Sequence, residues 1–271
     1  MIRKLYPDGK SKAFNVSYDD GVLQDKELIQ MLNKYGIKGT FNLNSDLMKQ
    51  ESAWFHECGM VVKRLSEKAA KGLYDGHEVA SHTLTHPYME SLSAEQILHE
   101  MAADRDNLQA LFDTEIVGFA VPFDYYSDLI KECAKIAGFE YARTSEMSGA
   151  YTLPEDCYSW PAGIFHLSPE LEAYVEDFLD TDEELALCQI VGHSYDLDAE
   201  RIWDKMEALF AKVSDNKDVW FATHIELVRY MKAMRKATIT DEYIQNHSDM
   251  DLWFAVDGEI KILKPGEILY I

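Results

Sequence analysis

Two short stretches of this 271-residue chain hold side chains whose types and spacing could do chemistry. Tyr18-Asp19-Asp20-Gly21 closes an apolar run, and Ser81-His82-Thr83-Leu84-Thr85-His86 follows further along. Together they supply two adjacent carboxylates and two imidazoles spaced i, i+4. On one turn of helix that spacing puts both rings on one face, within reach of one cation. A carboxylate from elsewhere would complete a three-ligand site with an open position for water, as in catalytic zinc sites. The second carboxylate would then be free to act as a base, which outlines a metal-assisted hydrolase.

Asp-Asp-Gly after a strand, followed by Ser-His-x-x-x-His, resembles the first two motifs of the polysaccharide deacetylases, carbohydrate esterase family 4. The resemblance runs over roughly residues 12 to 235 and is strongest in these two motifs. It implies an α/β fold, a distorted (β/α) barrel with mostly parallel strands and fewer of them than a TIM barrel. It also implies removal of an N- or O-acetyl group from a sugar with the help of a divalent metal, usually zinc, with cobalt or nickel also suited to the donors. Carried over residue by residue, Asp20, His82 and His86 would be the metal ligands and Asp19 the general base. His193, in Val191-Gly192-His193-Ser194-Tyr195, resembles the histidine of the family's late motif, which protonates the leaving amine or alcohol.

The third motif departs from the pattern. The family has Arg-x-Pro-Tyr where this chain has Ala120-Val121-Pro122-Phe123. Pro122 and an aromatic at 123 remain, and the backbone N–H after the proline can still serve an oxyanion. The arginine that would orient the base is gone. Arg143 ends the following strand, and neighbouring strands lie about 4.8 Å apart, so its side chain can reach the same spot. Trp160, with Tyr158, falls where the family's fourth motif supplies a groove wall. Asp156, Asp196 and Asp198 are all candidates for the partner that orients His193.

The elements that must position these residues follow from periodicity. Apolar strand-like runs precede Asp19, Pro122 and His193, where parallel α/β folds place their sites. Strands are predicted at Ala13–Tyr18, Lys38–Leu43, Ile116–Val121, Phe139–Arg143, Leu185–Val191 and Val219–Ala222. Helices are predicted at Asp25–Tyr35, Val61–Leu73, Ser93–Phe112, Leu129–Ala137, Ala199–Val213 and Ile225–Lys236. The alternation argues for a parallel sheet closing into a barrel. Thr144 to about Asp180 reads as irregular. From Asp241 onward, strands joined by Asp257-Gly258 and Pro265-Gly266 turns predict a small β appendage. The expected division is a barrel over 1–238 and an appendage over 239–271 packed on it.

The bulk numbers narrow the function classes. A formal charge of −22 disfavours nucleic acid and anionic membrane as partners, since both need clustered Lys and Arg. Cys58, Cys133, Cys157 and Cys188 form no Cys-x-x-Cys pair, so free thiols are expected. The N-terminal stretch has no apolar core of signal-peptide length, and the expected location is cytoplasmic. The expected partner is an acetylated sugar or oligosaccharide, with oligomeric state open. Two other readings stand beside the deacetylase. One is a related amide hydrolase on a small non-sugar substrate; the other is a catalytically impaired carbohydrate-binding member of the same fold.

Overall fold

In the computed structural model, which describes residues 1–271, nine strands form one all-parallel sheet curled into a nearly closed barrel. They are β1 (Lys12–Asp19), β2 (Gly39–Leu43), β3 (Glu78–Ser81), β4 (Gly118–Ala120), β5 (Tyr141–Met147), β6 (Trp160–Ala162), β7 (Ile164–Phe165), β8 (Ala186–His193) and β9 (Val219–Phe221). Their order is β7-β8-β1-β2-β3-β4-β5-β6, with β9 paired to the first three residues of β1. The two ends of this order, β6 and β7, are separated in the chain by Gly163 alone, so the backbone itself bridges the gap. A Cβ at 163 would run into the Gln189 carbonyl of β8, which leaves only glycine for that crossing.

Side chains alternate between the two faces of each strand. On β1, Phe14, Val16 and Tyr18 face outward into a core shared with Leu28 and Leu32 of the helix Asp25–Lys34 and with the other surrounding helices. Asn15, Ser17 and Asp19 alternate with them and face the barrel interior. The interior is a hydrogen-bonded polar column. Asn42 Nδ2 donates to Ser17 Oγ at 2.9 Å, Trp160 Nε1 to Gln189 Oε1 at 2.9 Å, and the Thr40 and Tyr141 hydroxyls to Glu78 at 2.9 Å each. Burial pushes the Glu78 carboxyl up to about 7, against the lowering effect of the bonds it accepts.

Three local expectations are revised. Val61–Leu73 is not one helix: Val61–Lys63 pairs antiparallel with Ala53–Phe55, and only Glu67–Ala70 is helical. The β-branched Val61-Val62 pair suits a strand, and Gly72 at positive φ breaks any continuation. The segment after Thr144 is more ordered than expected. It carries β6, β7 and the helix Leu171–Asp180, which buries Leu171, Tyr174, Val175 and Phe178 at helical spacing. The third revision concerns the domain boundary. Ile2–Leu5 pairs antiparallel with Leu252–Val256, so the appendage includes the N-terminal strand as well as the C-terminal ones. Its Leu252, Phe254 and Leu263 share a second core with Leu227, Tyr230 and Met234 of the helix His224–Arg235. All four cysteines are free thiols, three of them buried. No helix is long and apolar enough to cross a membrane.

Candidate active site

Asp19 and His193 end neighbouring strands and are register partners across β1 and β8. Both therefore open into the same cavity of about 570 Å3, at the C-terminal end of the barrel. Asp20, His82, His86, Phe123 and Arg143 line it too. Asp20 reaches it through a backbone φ of 87°, a left-handed conformation costly for a non-glycine residue and found mostly where function demands it.

The two histidines do not sit on a helix. The chain from His82 to Tyr88 is a loop after β3, and Thr83 and His86 adopt positive φ of 70° and 55°. The loop nevertheless brings the rings together, with centroids 4.9 Å apart. Asn44 holds it by donating to the Thr83 carbonyl at 2.8 Å, with the same amide on the His82 carbonyl. His82 Nδ1 lies 2.8 Å from the Ala120 carbonyl, which can only accept. Nδ1 must therefore carry the proton, and Nε2 turns its lone pair into the cavity, the arrangement metal-ligating histidines adopt. His86 Nε2 is 3.6 Å from Asp20 Oδ1.

One ligand atom each from Asp20, His82 and His86 lies within 4.8 Å of the others. Asp20 Oδ1 is buried and makes no hydrogen bond, although Arg64 Nη1 stands 3.0 Å away. That nitrogen is committed to the Asp20 carbonyl and to Asn44 Oδ1. Burial pushes the Asp20 carboxyl up, but the Arg64 guanidinium, with the His193 imidazole, holds it well below the usual range. Burial keeps both histidines neutral: His82 is lowered, and His86 falls to about 4. An ionised carboxylate and two neutral imidazoles, with an orphaned buried oxygen among them, fit a divalent cation of the zinc, cobalt or nickel kind.

Arg143 Nη2 lies 2.5 and 2.6 Å from the two Asp19 oxygens. It reaches Asp19 from β5, where it is the register partner of Ala120 on β4. Asn42 Nδ2 adds a donor to Asp19 Oδ1 at 2.7 Å. Burial pushes the Asp19 carboxyl up, yet the Arg143 guanidinium, with the His193 imidazole, leaves it below the ordinary value. His193 Nδ1 donates to Asp196 Oδ2 at 3.0 Å, so of the three candidate partners Asp196 is the one engaged. Asp156 pairs instead with Lys131, and Asp198 accepts from Gln24 and Trp203. Burial lowers the His193 imidazole, but Asp196, Asp20 and Asp19 raise it to about 9.

Trp160 does not wall the groove. It is 1% exposed and points into the barrel interior, because its position on β6 is an inward one. Pro122 is buried; the cavity is lined by its neighbours Val121 and Phe123. The exposed aromatics at the mouth are Phe123 and Tyr88, stacked at 4.0 Å. Sequence reasoning missed Asn42, Asn44 and Arg64. Each lies on a different segment from the motif it serves, with no spacing to betray it.

A family model described as "Polysaccharide deacetylase" matches residues 7–142. Several solved structures share the fold at low identity. A putative polysaccharide deacetylase from Mycobacterium smegmatis is 16% identical, with 88% of this chain and 96% of that one covered and a TM-score of 0.63. A CE4 family pseudoenzyme from Bacillus anthracis is 16% identical (83% and 68% covered, TM-score 0.54). A family 4 carbohydrate esterase from Streptomyces lividans, in complex with acetate, is 14% identical (78% and 91% covered, TM-score 0.51). The chain spans 55% of the length of a Streptococcus pyogenes deacetylase that it also matches. No curated protein matches.

Proposed function

Because the chain belongs to the polysaccharide deacetylase family, we propose that it is a metal-dependent hydrolase removing an acetyl group from an N- or O-acetylated carbohydrate. The observation that carries this reading is the pairing of a fitted Asp20, His82, His86 donor set with an unligated, ionised Asp19 beside it. A divalent cation held by those three residues would polarise the acetyl carbonyl and acidify a water.

The chain's own residues supply the rest. Asp19 accepts the proton of the attacking water; Arg143 and Asn42 keep the carboxylate ionised and aimed. The Phe123 N–H is engaged by no backbone carbonyl and can donate to the oxyanion. His193, held by Asp196, protonates the departing amine or alcohol through its Nε2. The stacked Phe123 and Tyr88 offer flat apolar faces at the cavity mouth, which suit a sugar ring.

One observation favours a catalytically impaired reading: Ala120 stands where the family has arginine. Arg143 counters it, since its guanidinium occupies the position that arginine would serve. An amide hydrolase on a small substrate would use the same groups. Acetate release from a panel of acetylated oligosaccharides and small amides, with the zinc-loaded protein, separates the three. Turnover confined to the sugars is expected; turnover confined to small amides, or none, rejects the proposal.

A further inference from the structure

The Asp196 oxygen that orients His193 is shared. His166 Nε2 lies 3.1 Å from the same Oδ2. His166 follows β7, its side chain is fully buried, and its backbone N–H donates to the Val191 carbonyl of β8 at 2.9 Å. Its other ring nitrogen, Nδ1, is 3.1 Å from the Tyr18 hydroxyl on β1. The protons can be assigned. An ionised carboxylate only accepts, so His166 Nε2 carries the hydrogen. The ring is neutral, because burial lowers its pKa more than Asp196 raises it. Nδ1 is then an acceptor, and the Tyr18 O–H donates to it. Along the line Tyr18, His166, Asp196, His193 each link pairs one donor with one acceptor.

The seat of the His166 ring is built into β8. A Cβ at residue 192 would fall 2.5 Å from His166 Cε1 and 2.6 Å from Nδ1. Gly192 has no positive φ to account for it, so the ring is its reason. The other groups around Asp196 and His193 include His56, whose Nε2 is 3.8 Å from Asp196 Oδ1, Tyr195, stacked on His193 at 4.9 Å, Phe165, edge-on to it at 6.0 Å, and Asp19 and Asp20. None of these reaches Oδ2.

We propose that His166, locked by Tyr18, is a positioning residue that holds Asp196 and thereby aims the proton-donating imidazole of His193. This rests on the deacetylase reading of His193. Its consequence is selective. Without His166 the carboxylate can turn away, and His193 loses the tether that points Nε2 at the leaving group. An amine must be protonated as it leaves, whereas 4-nitrophenolate leaves as the anion. A residue that merely fills the core would slow both reactions alike.

The test compares zinc-loaded wild type with His166→Phe, His166→Gln and Tyr18→Phe, each checked by thermal melt and zinc content. On N-acetylated chito-oligosaccharides, His166→Phe should lower kcat by at least about tenfold, a part of the roughly 10²–10⁴-fold that a positioned general acid contributes. The loss on 4-nitrophenyl acetate should be at least about tenfold smaller by the leaving-group argument. His166→Gln, which keeps a donor, should recover part of the rate, and Tyr18→Phe should show a weaker loss of the same kind. Equal losses on both substrates, or no loss, overturn the proposal. If wild type releases no acetate, the deacetylase reading fails separately. The positioning role is then decided by the hydrogen-bonded Nδ1 proton of His193 in the NMR spectrum. That resonance should shift in His166→Phe; an unmoved resonance overturns the proposal.

Discussion

At the scale of single residues, Arg143 is the side chain on which the proposed base depends. Its guanidinium contacts both Asp19 oxygens, and both partners are almost fully buried. Removing one partner of such a pair leaves an uncompensated buried charge, which costs about 3–5 kcal/mol. Arg143→Ala should therefore lower the melting temperature. It should also raise the Asp19 pKa, because an opposite charge beside a carboxylate lowers it by about 1–3 units. A base works only when ionised, so the acidic limb of the pH–rate profile should move to higher pH while zinc content stays the same. An unmoved acidic limb would show that Arg143 does not tune Asp19. The contact was legible in the sequence because Ala120 left a vacancy and Arg143 was expected on the neighbouring strand, which in fact runs past it to Met147. The roles of Asn42 and His166 were not legible, since each acts through a fold that spacing alone does not specify.

At the scale of elements, strand ends set the site, and their periodicity was readable. β1, β2, β4, β8 and β9 lie where apolar runs predicted them, β5 starts two residues later than expected and runs on to Met147, and the helix Ala94–Phe112 starts at the capping box of Ser93 and Gln96. The histidine loop was misread as a helical turn because i, i+4 spacing suits both. Only the positive φ values of Thr83 and His86, imposed by their surroundings, distinguish the two. The groove-wall reading of Trp160, taken from resemblance alone, failed because the segment is a strand and its residue faces inward. A three-residue strand gives too little alternation to assign its faces. The appendage makes its own prediction. Phe254 is fully buried between the small sheet and the helix His224–Arg235. Phe254→Ala should cost about 3–5 kcal/mol, read by denaturant unfolding, with kcat of the folded fraction unchanged. A loss below about 1 kcal/mol would mean that the appendage is not part of the same cooperative core.

At the scale of the whole molecule, buried titratable groups predict how stability follows pH without metal. His77, His82, His86, His166 and His224 all have folded pKa values below the ordinary 6.5, His77 and His86 at about 4. A depressed histidine binds fewer protons folded than unfolded, so these five contribute stability that is lost as pH falls below 6.5. Asp25, Glu78 and Asp104 are raised to about 7 by burial. Each binds more protons folded, so these three lose stability as pH rises toward 7 and partly offset the histidines. His193, raised to about 9, contributes stability present below 6.5 and lost as pH rises through 9. The melting temperature of the metal-free protein should therefore peak near neutrality and fall on both sides. A maximum near pH 4 would contradict the assignment of neutral buried histidines. The central claim, metal-dependent deacetylation, is tested most directly by acetate release from an acetylated oligosaccharide after chelation and zinc reloading. Release should vanish on chelation, return with about one zinc per chain as three protein ligands imply, and be absent in His82→Ala. Undiminished release from fully chelated protein, or none from protein carrying stoichiometric zinc across the whole sugar panel, would contradict it.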